Sequence, residues 1–332
     1  MIPQSISLLE LFKRNTFMGV LLLIPYAMVL HASSWFNNAS CPVSDACWLF
    51  LKLFKGLSEN AGFNITGSLI LIVLQALWIG RMVSRFKLTG EGQLFGSLFF
   101  ILFCGFHYST LCFGPVLLAN FFFTLALPEL FGIYLKKKPA LSLFNYGFLV
   151  GLASIFYPPY CVFLILGLVA ILVMRVYQLK EILQILGGFF NVWFLLFVCL
   201  YSLNLHTEFW EVQMGGFFKP FIFSMKFGSQ GWIAFSLLFI FILLNLIQYP
   251  FFQFKRSIMA QKQFDLLFWT LLICGFSILF LQIDQVNHLI ILFSPLALLT
   301  GVLLTKPKNP LLQETIHLFL LLSSLFLQFQ NW

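Results

Sequence analysis

Gly67-Ser-Leu-Ile-Leu-Ile-Val-Leu-Gln-Ala-Leu-Trp-Ile-Gly80, followed at once by Arg81-Met-Val-Ser-Arg85-Phe-Lys87, decides the fold class. A helix of about 20 apolar residues crosses the roughly 30 Å of hydrocarbon in a bilayer. A cationic flank is retained on the cytoplasmic side as such a helix inserts. The same alternation recurs along the chain: fifteen of its nineteen Lys and Arg residues fall in six short clusters. These are Lys13 and Arg14; Arg81, Arg85 and Lys87; Lys136, Lys137 and Lys138; Arg175 and Lys180; Lys255, Arg256 and Lys262; and Lys306 with Lys308. Each gap between clusters has room for two crossings, so the clusters mark one membrane face and the gaps mark excursions to the other.

Composition agrees. With 61% hydrophobic residues, 9% charged residues and a mean hydropathy of +0.96, the chain lies far from the soluble norm of about 25% charged. The net charge of +8 sits in tight loops, where it orients helices and meets anionic headgroups, and no basic face with interleaved polar readers points to nucleic acid. The run from Thr16 to Leu30 follows Lys13 and Arg14 and has no small-residue cleavage site at a suitable distance, so it reads as a retained anchor. Before it, Ile6, Leu8, Leu9, Leu11 and Phe12 form an apolar segment expected at the cytoplasmic interface.

The expected fold is all-α: one polytopic transmembrane bundle over residues 1–332, with about eleven spans (ten to twelve). They fall at about 16–34, 67–84, 93–107, 111–135, 143–158, 160–175, 183–204, 231–252, 265–282, 288–305 and 311–330. The amino terminus is then cytoplasmic and the carboxyl terminus on the exterior face. The short stretches 93–107 and 143–158 must stand nearly upright or thin the bilayer. His107 to Thr110 and the Tyr157-Pro158-Pro159-Tyr160 break lie between basic clusters and read as exterior turns. No internal repeat of the inverted-repeat transporters is evident. Two exterior loops are long enough to fold, about 34–66 and about 205–230. In the first, Lys52 and Lys55 share one side of an aromatic-rich stretch, which reads as a helix lying in the membrane plane.

This topology collects polar residues on the exterior face. His31, His107, His206 and His288 fall at exterior helix ends, as do Asp45, Glu208, Glu211 and Asp284. Asp45, His107, His206 and His288 are candidates for acid and base chemistry, while His31, Glu208, Glu211 and Asp284 are candidates for holding lipid or substrate. Solvation by headgroups and water explains the same placement without chemistry, because the histidines share no ligand spacing. Glu129, after Pro128 inside an apolar helix, is a further binding candidate, since an acid at that depth is costly; a pair with Lys136 or a neighbouring helix is the structural alternative. Asn120, Asn145, Asn191 and Asn245 read as bonds between helices. Cys41 and Cys47 flank five residues and are a disulfide candidate if their face is oxidising; the other five cysteines read as small apolar residues, and no metal cluster is expected.

The layout resembles the GT-C superfamily of multipass glycosyltransferases that take sugars from polyprenyl phosphates. A first helix leads into a long exterior loop with an in-plane helix. The Gly147-x-x-x-Gly151-Leu-Ala153 helix runs into a proline break, and His288 to Gly301 looks like the late helix of that group. The chain is also similar to uncharacterised multipass inner-membrane proteins of Bacteroidota that carry a domain of unknown function. The GT-C resemblance implies an acidic residue shortly after the first helix as base or metal ligand, but here that stretch reads His31-Ala-Ser-Ser-Trp-Phe-Asn-Asn38, and the first carboxylate is Asp45. The expectation is therefore a noncatalytic subunit of a cell-envelope membrane complex, in contact with lipids and partner proteins. The enzyme alternative is a polyprenyl-phosphate-sugar-dependent glycosyltransferase at the exterior face, with Asp45 as base and a divalent cation as an optional cofactor under that alternative alone. A small-molecule or lipid transporter is third, with Glu129 at the start of its polar path.

Overall fold

The computed structural model describes residues 8–13, 16–37, 47–89, 93–215, 228–280, 286–305 and 310–329. Among them the chain is all-helical, without a strand. The helices are α1 (Phe17–Leu30), α2 (Ala32–Asn37), α3 (Trp48–Ser58), α4 (Ala61–Arg85), α5 (Phe95–Cys104), α6 (Pro115–Phe131), α7 (Ala140–Phe156), α8 (Phe163–Val173) and α9 (Leu179–Ser202). They continue with α10 (His206–Phe209), α11 (Ser229–Ile247), α12 (Tyr249–Gln253), α13 (Ile258–Phe280), α14 (Ile290–Leu303) and α15 (Pro310–Phe329). The apolar stretches are helical, 16–34 and 231–252 each taking in parts of two helices, and five helical segments are long and apolar enough to cross a membrane: α4, α9, α11, Val286–Leu303 and Leu311–Gln328.

Several boundaries differ from the sequence reading, each for a local reason. Helix α4 starts at Ala61 rather than near 67, because the Asn60 side chain accepts from the Phe63 amide at 3.2 Å and caps a polar first turn that hydropathy passes over. Helix α13 starts at Ile258 and takes in Lys262, which pairs with Asp265 at 3.5 Å one turn on. Short α5 is reconciled in another way than tilting or thinning. All ten of its residues are buried, so it meets protein on every side and owes no match to the lipid thickness. The segment before α1 is a 3-10 helix, Leu8–Phe12, whose Leu9 and Phe12 join the core while the Phe12 carbonyl accepts from the Leu94 amide at 3.1 Å.

The packing brings the ends of α4 and α6 and the start of α13, which carry or adjoin basic clusters, to one end of the bundle. Helices α4 and α6 run parallel: Asn64 meets the Phe113 amide, Gln75 meets Asn120, and Phe86 meets Phe131. Helices α7 and α9 are parallel too, with Gly147 against Ile185, Gly151 against Phe189 and Ser154 bonded to Trp193. Arg256 donates to the Leu88 carbonyl and lies over the rings of Phe251 and Phe264. Gln263 reaches the Phe131 carbonyl at 3.2 Å, and Gln313 reaches the Leu304 carbonyl. The clusters at Arg81 to Lys87, Lys136 to Lys138 and Lys255 to Lys262 thus share one rim, as helices with alternating direction require.

At the centre stands α14, with all but the last of its fourteen residues buried. It touches α5 where Gly301 and Gly96 meet: a Cβ on Gly301 would lie 2.5 Å from the Gly96 nitrogen, so neither helix can approach with a larger residue at 301. Pro295 lacks the N–H that would bond the Ile291 carbonyl, and the Cys274 thiol of α13 takes that acceptor at 3.2 Å.

Candidate functional site

The structure sorts the sequence candidates into two places at the rim opposite the basic clusters. In the first, the 3-10 turn Tyr108–Leu111 packs against the 3-10 turn Val286–Leu289 and against α2. This gathers the segments bearing His31, His107 and His288. All three rings are buried; His31 and His107 bond neighbours in sequence, whereas His288 bonds a residue of another element. His31 Nδ1 meets the Ala27 carbonyl at 2.9 Å, His107 Nδ1 meets Ser109 Oγ at 2.6 Å, and His288 Nδ1 meets the Tyr157 hydroxyl at 2.7 Å. His288 also has Ser277 Oγ 3.5 Å from Nε2, whereas His31 Nε2 is buried without a partner.

From His288 a polar seam runs inward. The Tyr157 ring lies 6.0 Å from that of Tyr160, whose hydroxyl donates to Asn120 Oδ1 at 3.3 Å. Asn120 Nδ2 donates to Gln75 Oε1 at 2.7 Å and lies 3.3 Å from Ser294 Oγ, which shares a 2.8 Å bond with Thr124 Oγ1. Gln75, Asn120, Thr124, Tyr160 and Ser294 are fully enclosed, so the seam clamps α4, α6 and α14 where lipid offers no alternative partner. Asn245 does the same between α11 and α14, reaching Thr300 Oγ1 at 3.0 Å. The expected bonds between helices therefore exist at Asn120 and Asn245. The partners of Asn120 were missed, although Asn120 and Thr124, four apart on an apolar helix, mark one polar face.

The second place is a cleft of about 270 Å³ between the far end of α9 and the turn after it. Trp193, Leu196, Phe197, Leu200, Phe209 and Trp210 wall it, with His206, Thr207 and Glu211. A π-helix, Trp210–Met214, continues α10 and sets this wall. Gln213 pins the π-helix: it is fully buried, its Nε2 donates to the Ile155 carbonyl at 2.7 Å, and its Oε1 accepts from the Leu49 amide at 3.0 Å. His206 packs on Tyr201, ring centroids 5.1 Å apart, and its Nδ1 is buried without a hydrogen-bond partner. Glu208 and Glu211 are exposed on the same turns. His206 is therefore built into another pocket than the other three histidines.

Asp45, Asp284 and Cys41 lie outside the described residues. The Cys41–Cys47 pairing is overturned at Cys47, a free thiol enclosed beside Phe50 and Phe113; among the described residues the disulfide-bonded cysteine is Cys112, in the turn before α6, which corrects its reading as a small apolar residue. Burial pushes the Cys47 thiol up to about 12. Nearness in sequence was the wrong guide, because the start of α3 folds back onto the bundle and turns Cys47 inward. Glu129 is half-buried in α6, and the Lys136 amine bonds Ser142 Oγ at 3.3 Å instead of reaching back to it. A carboxylate that sequence reasoning passed over is Glu181 in the first turn of α9, 2% exposed with Oε2 unpartnered. Among the described residues, no group of three or more His, Cys, Asp and Glu is placed to share a metal ion.

No protein-family model matches the chain, and comparison with curated proteins and with solved structures gives no match.

Proposed function

We propose that the chain is an integral protein of a bacterial inner membrane with about eleven spans, built on a GT-C-like scaffold, and that it serves as a noncatalytic subunit of a cell-envelope complex. In this reading the rim of basic clusters is cytoplasmic, the amino terminus is inside and the carboxyl terminus is periplasmic. Two observations support the threading. The parallel pairs α4 with α6 and α7 with α9 have their basic ends together. The disulfide at Cys112 lies at the opposite end, and such bonds persist in oxidising compartments.

The observation that carries the noncatalytic reading is at His288, the first residue of the segment that resembles the late helix of GT-C transferases. It is buried, its Nδ1 is engaged by Tyr157 and its Nε2 faces Ser277. A ring held by two neighbours inside a bundle ties turns together, whereas a transferring group needs a nitrogen open to substrate. The test is purification from native membranes in mild detergent. Stoichiometric copurifying proteins are expected; a chain that runs alone and moves sugar from a polyprenyl-phosphate donor defeats the reading.

The enzyme alternative keeps one observation in its favour, the aromatic cleft with His206 and Glu211 at the same rim. It places Asp45 as base, with His107, His206 and His288 as helpers. Under it, Asp45→Asn abolishes transfer and leaves insertion intact.

A further inference from the structure

We propose that the cleft at the end of α9 seats the ammonium headgroup of an aminophospholipid, with the tails lying along the exposed face of α9. The argument starts from the walls. Trp193, Phe197, Phe209 and Trp210 line one small space, and aromatic rings attract cations through their quadrupoles. Glu211 adds a carboxylate to the same lining, and Glu208 stands exposed one turn before it. Among the described residues neither carboxylate has an ion pair. His206 completes the lining beside them. Aromatic rings and an unpaired acid together describe a site for a small cation.

Size and position choose the occupant. At about 270 Å³ the space falls below the 300–1,000 Å³ of pockets that enclose whole drug-sized ligands, so it suits a headgroup rather than a complete lipid. Below it, α9 exposes Phe190, Phe194, Leu195, Phe197 and Val198, a strip with the character of a lipid-facing surface. Helix α9 has 24 residues and spans about 36 Å, enough to carry that strip through one leaflet to the cleft. A soluble amine would use the rings and leave the strip idle, whereas an aminolipid uses both. The wall is also fixed in advance: Gln213 holds the π-helix to α7 and α3, so binding does not have to order it.

The inference rests on the proposed membrane reading but not on which face is periplasmic, because a nanodisc presents both leaflets. The full chain is reconstituted in nanodiscs of equimolar phosphatidylethanolamine and phosphatidylglycerol with matched tails, and retained lipid is counted by native mass spectrometry after release. One phosphatidylethanolamine is expected to be retained about tenfold over phosphatidylglycerol, as a partly desolvated cation site of this kind supplies. Glu211→Gln, an exposed position whose change leaves the elution profile intact, is expected to bring the ratio close to one, while the exposed Glu59→Gln keeps it. Equal retention of both lipids by the wild type, or an undiminished preference in Glu211→Gln, overturns the site. Free phosphoethanolamine is expected to leave the bound lipid in place; its displacement of the lipid at equal concentration overturns the lipid as occupant. A wrong threading changes none of these results and is read separately, by impermeant labelling of the two membrane faces.

Discussion

Helices α14 and α9 have nearly the same hydropathy, and the protein treats them in opposite ways. The best windows average 1.9 for Val286–Leu303 and 2.1 for α9, but 89% of the first is buried inside the protein and only 22% of the second. Hydropathy reports that a segment leaves water. It does not report whether lipid or protein receives it, because hydrocarbon tails and core side chains are equally apolar. What separates the two is the distribution of small and polar residues. Helix α14 carries Ser294, Thr300 and Gly301, each used against a different neighbour. Helix α9 concentrates its close contact on one side, at Gly188, and gives the rest to exposed Phe and Leu.

The largest effect that tests this contrast comes from glycine. Gly301→Val places a branched side chain where even a Cβ would lie 2.5 Å from the Gly96 nitrogen, and backbone cannot step aside as a side chain can. A loss of about 3 kcal/mol is expected, at the upper end of overpacking costs, read as aggregation in size-exclusion chromatography or a collapsed melting temperature in detergent. On α9 the neighbours Gly187 and Gly188 make an internal control. Nothing lies within 4 Å of a Cβ on Gly187, whereas one on Gly188 meets the backbone of Phe144 and Phe148. Gly188→Val should fail like Gly301→Val, while Gly187→Val should stay within about 0.5 kcal/mol of the wild type. Equal behaviour of the two α9 variants would break the claim that α9 has one protein side.

Phenylalanine gives the next effect. Phe293 on α14 is 1% exposed and Phe194 on α9 is 64% exposed. Truncation to alanine in a membrane protein loses no transfer from water, since the unfolded helix stays in lipid; what remains is the cavity, about 1–2 kcal/mol for Phe293→Ala. Lipid refills the space at Phe194→Ala, and no measurable shift in melting temperature is expected. A smaller step follows at the seam. Ser294→Ala removes the bond to Thr124 and a contact of Asn120, and should cost about 1 kcal/mol, the range of bonds between helices in bilayers.

How much of this was legible follows from the physics of each signal. The helices were, because twenty apolar residues between cationic flanks have few other fates. Their first turns were less so: Asn60 starts α4 through a side-chain cap, which a hydropathy window averages away. The gathering of the segments that bear His31, His107 and His288 at one rim followed from topology, but the partners of His288 did not, because Tyr157 and Ser277 arrive from other helices. His206 and Glu211 were singled out individually, and the cleft that joins them depends on a π-helix held by Gln213, which no periodicity marks.

The smallest perturbation tests the side of the bundle that the lipid-facing and core helices share, the turn before α6. Sequence distance favours Cys41 with Cys47, whereas the fold encloses Cys47 as a thiol and bonds Cys112. Because only the thiolate reacts with maleimide or iodoacetamide, and burial pushes the Cys47 thiol up to about 12, Cys47 should resist alkylation at pH 8 in the folded state. Denaturation without reductant should then release Cys47 to the reagent and leave Cys112 unmodified, while added reductant should expose Cys112. Peptide mapping of the three samples reads all of this at once. Rapid labelling of Cys112 in the unreduced denatured sample would remove the disulfide, and with it one of the two supports for placing that rim on an oxidising face.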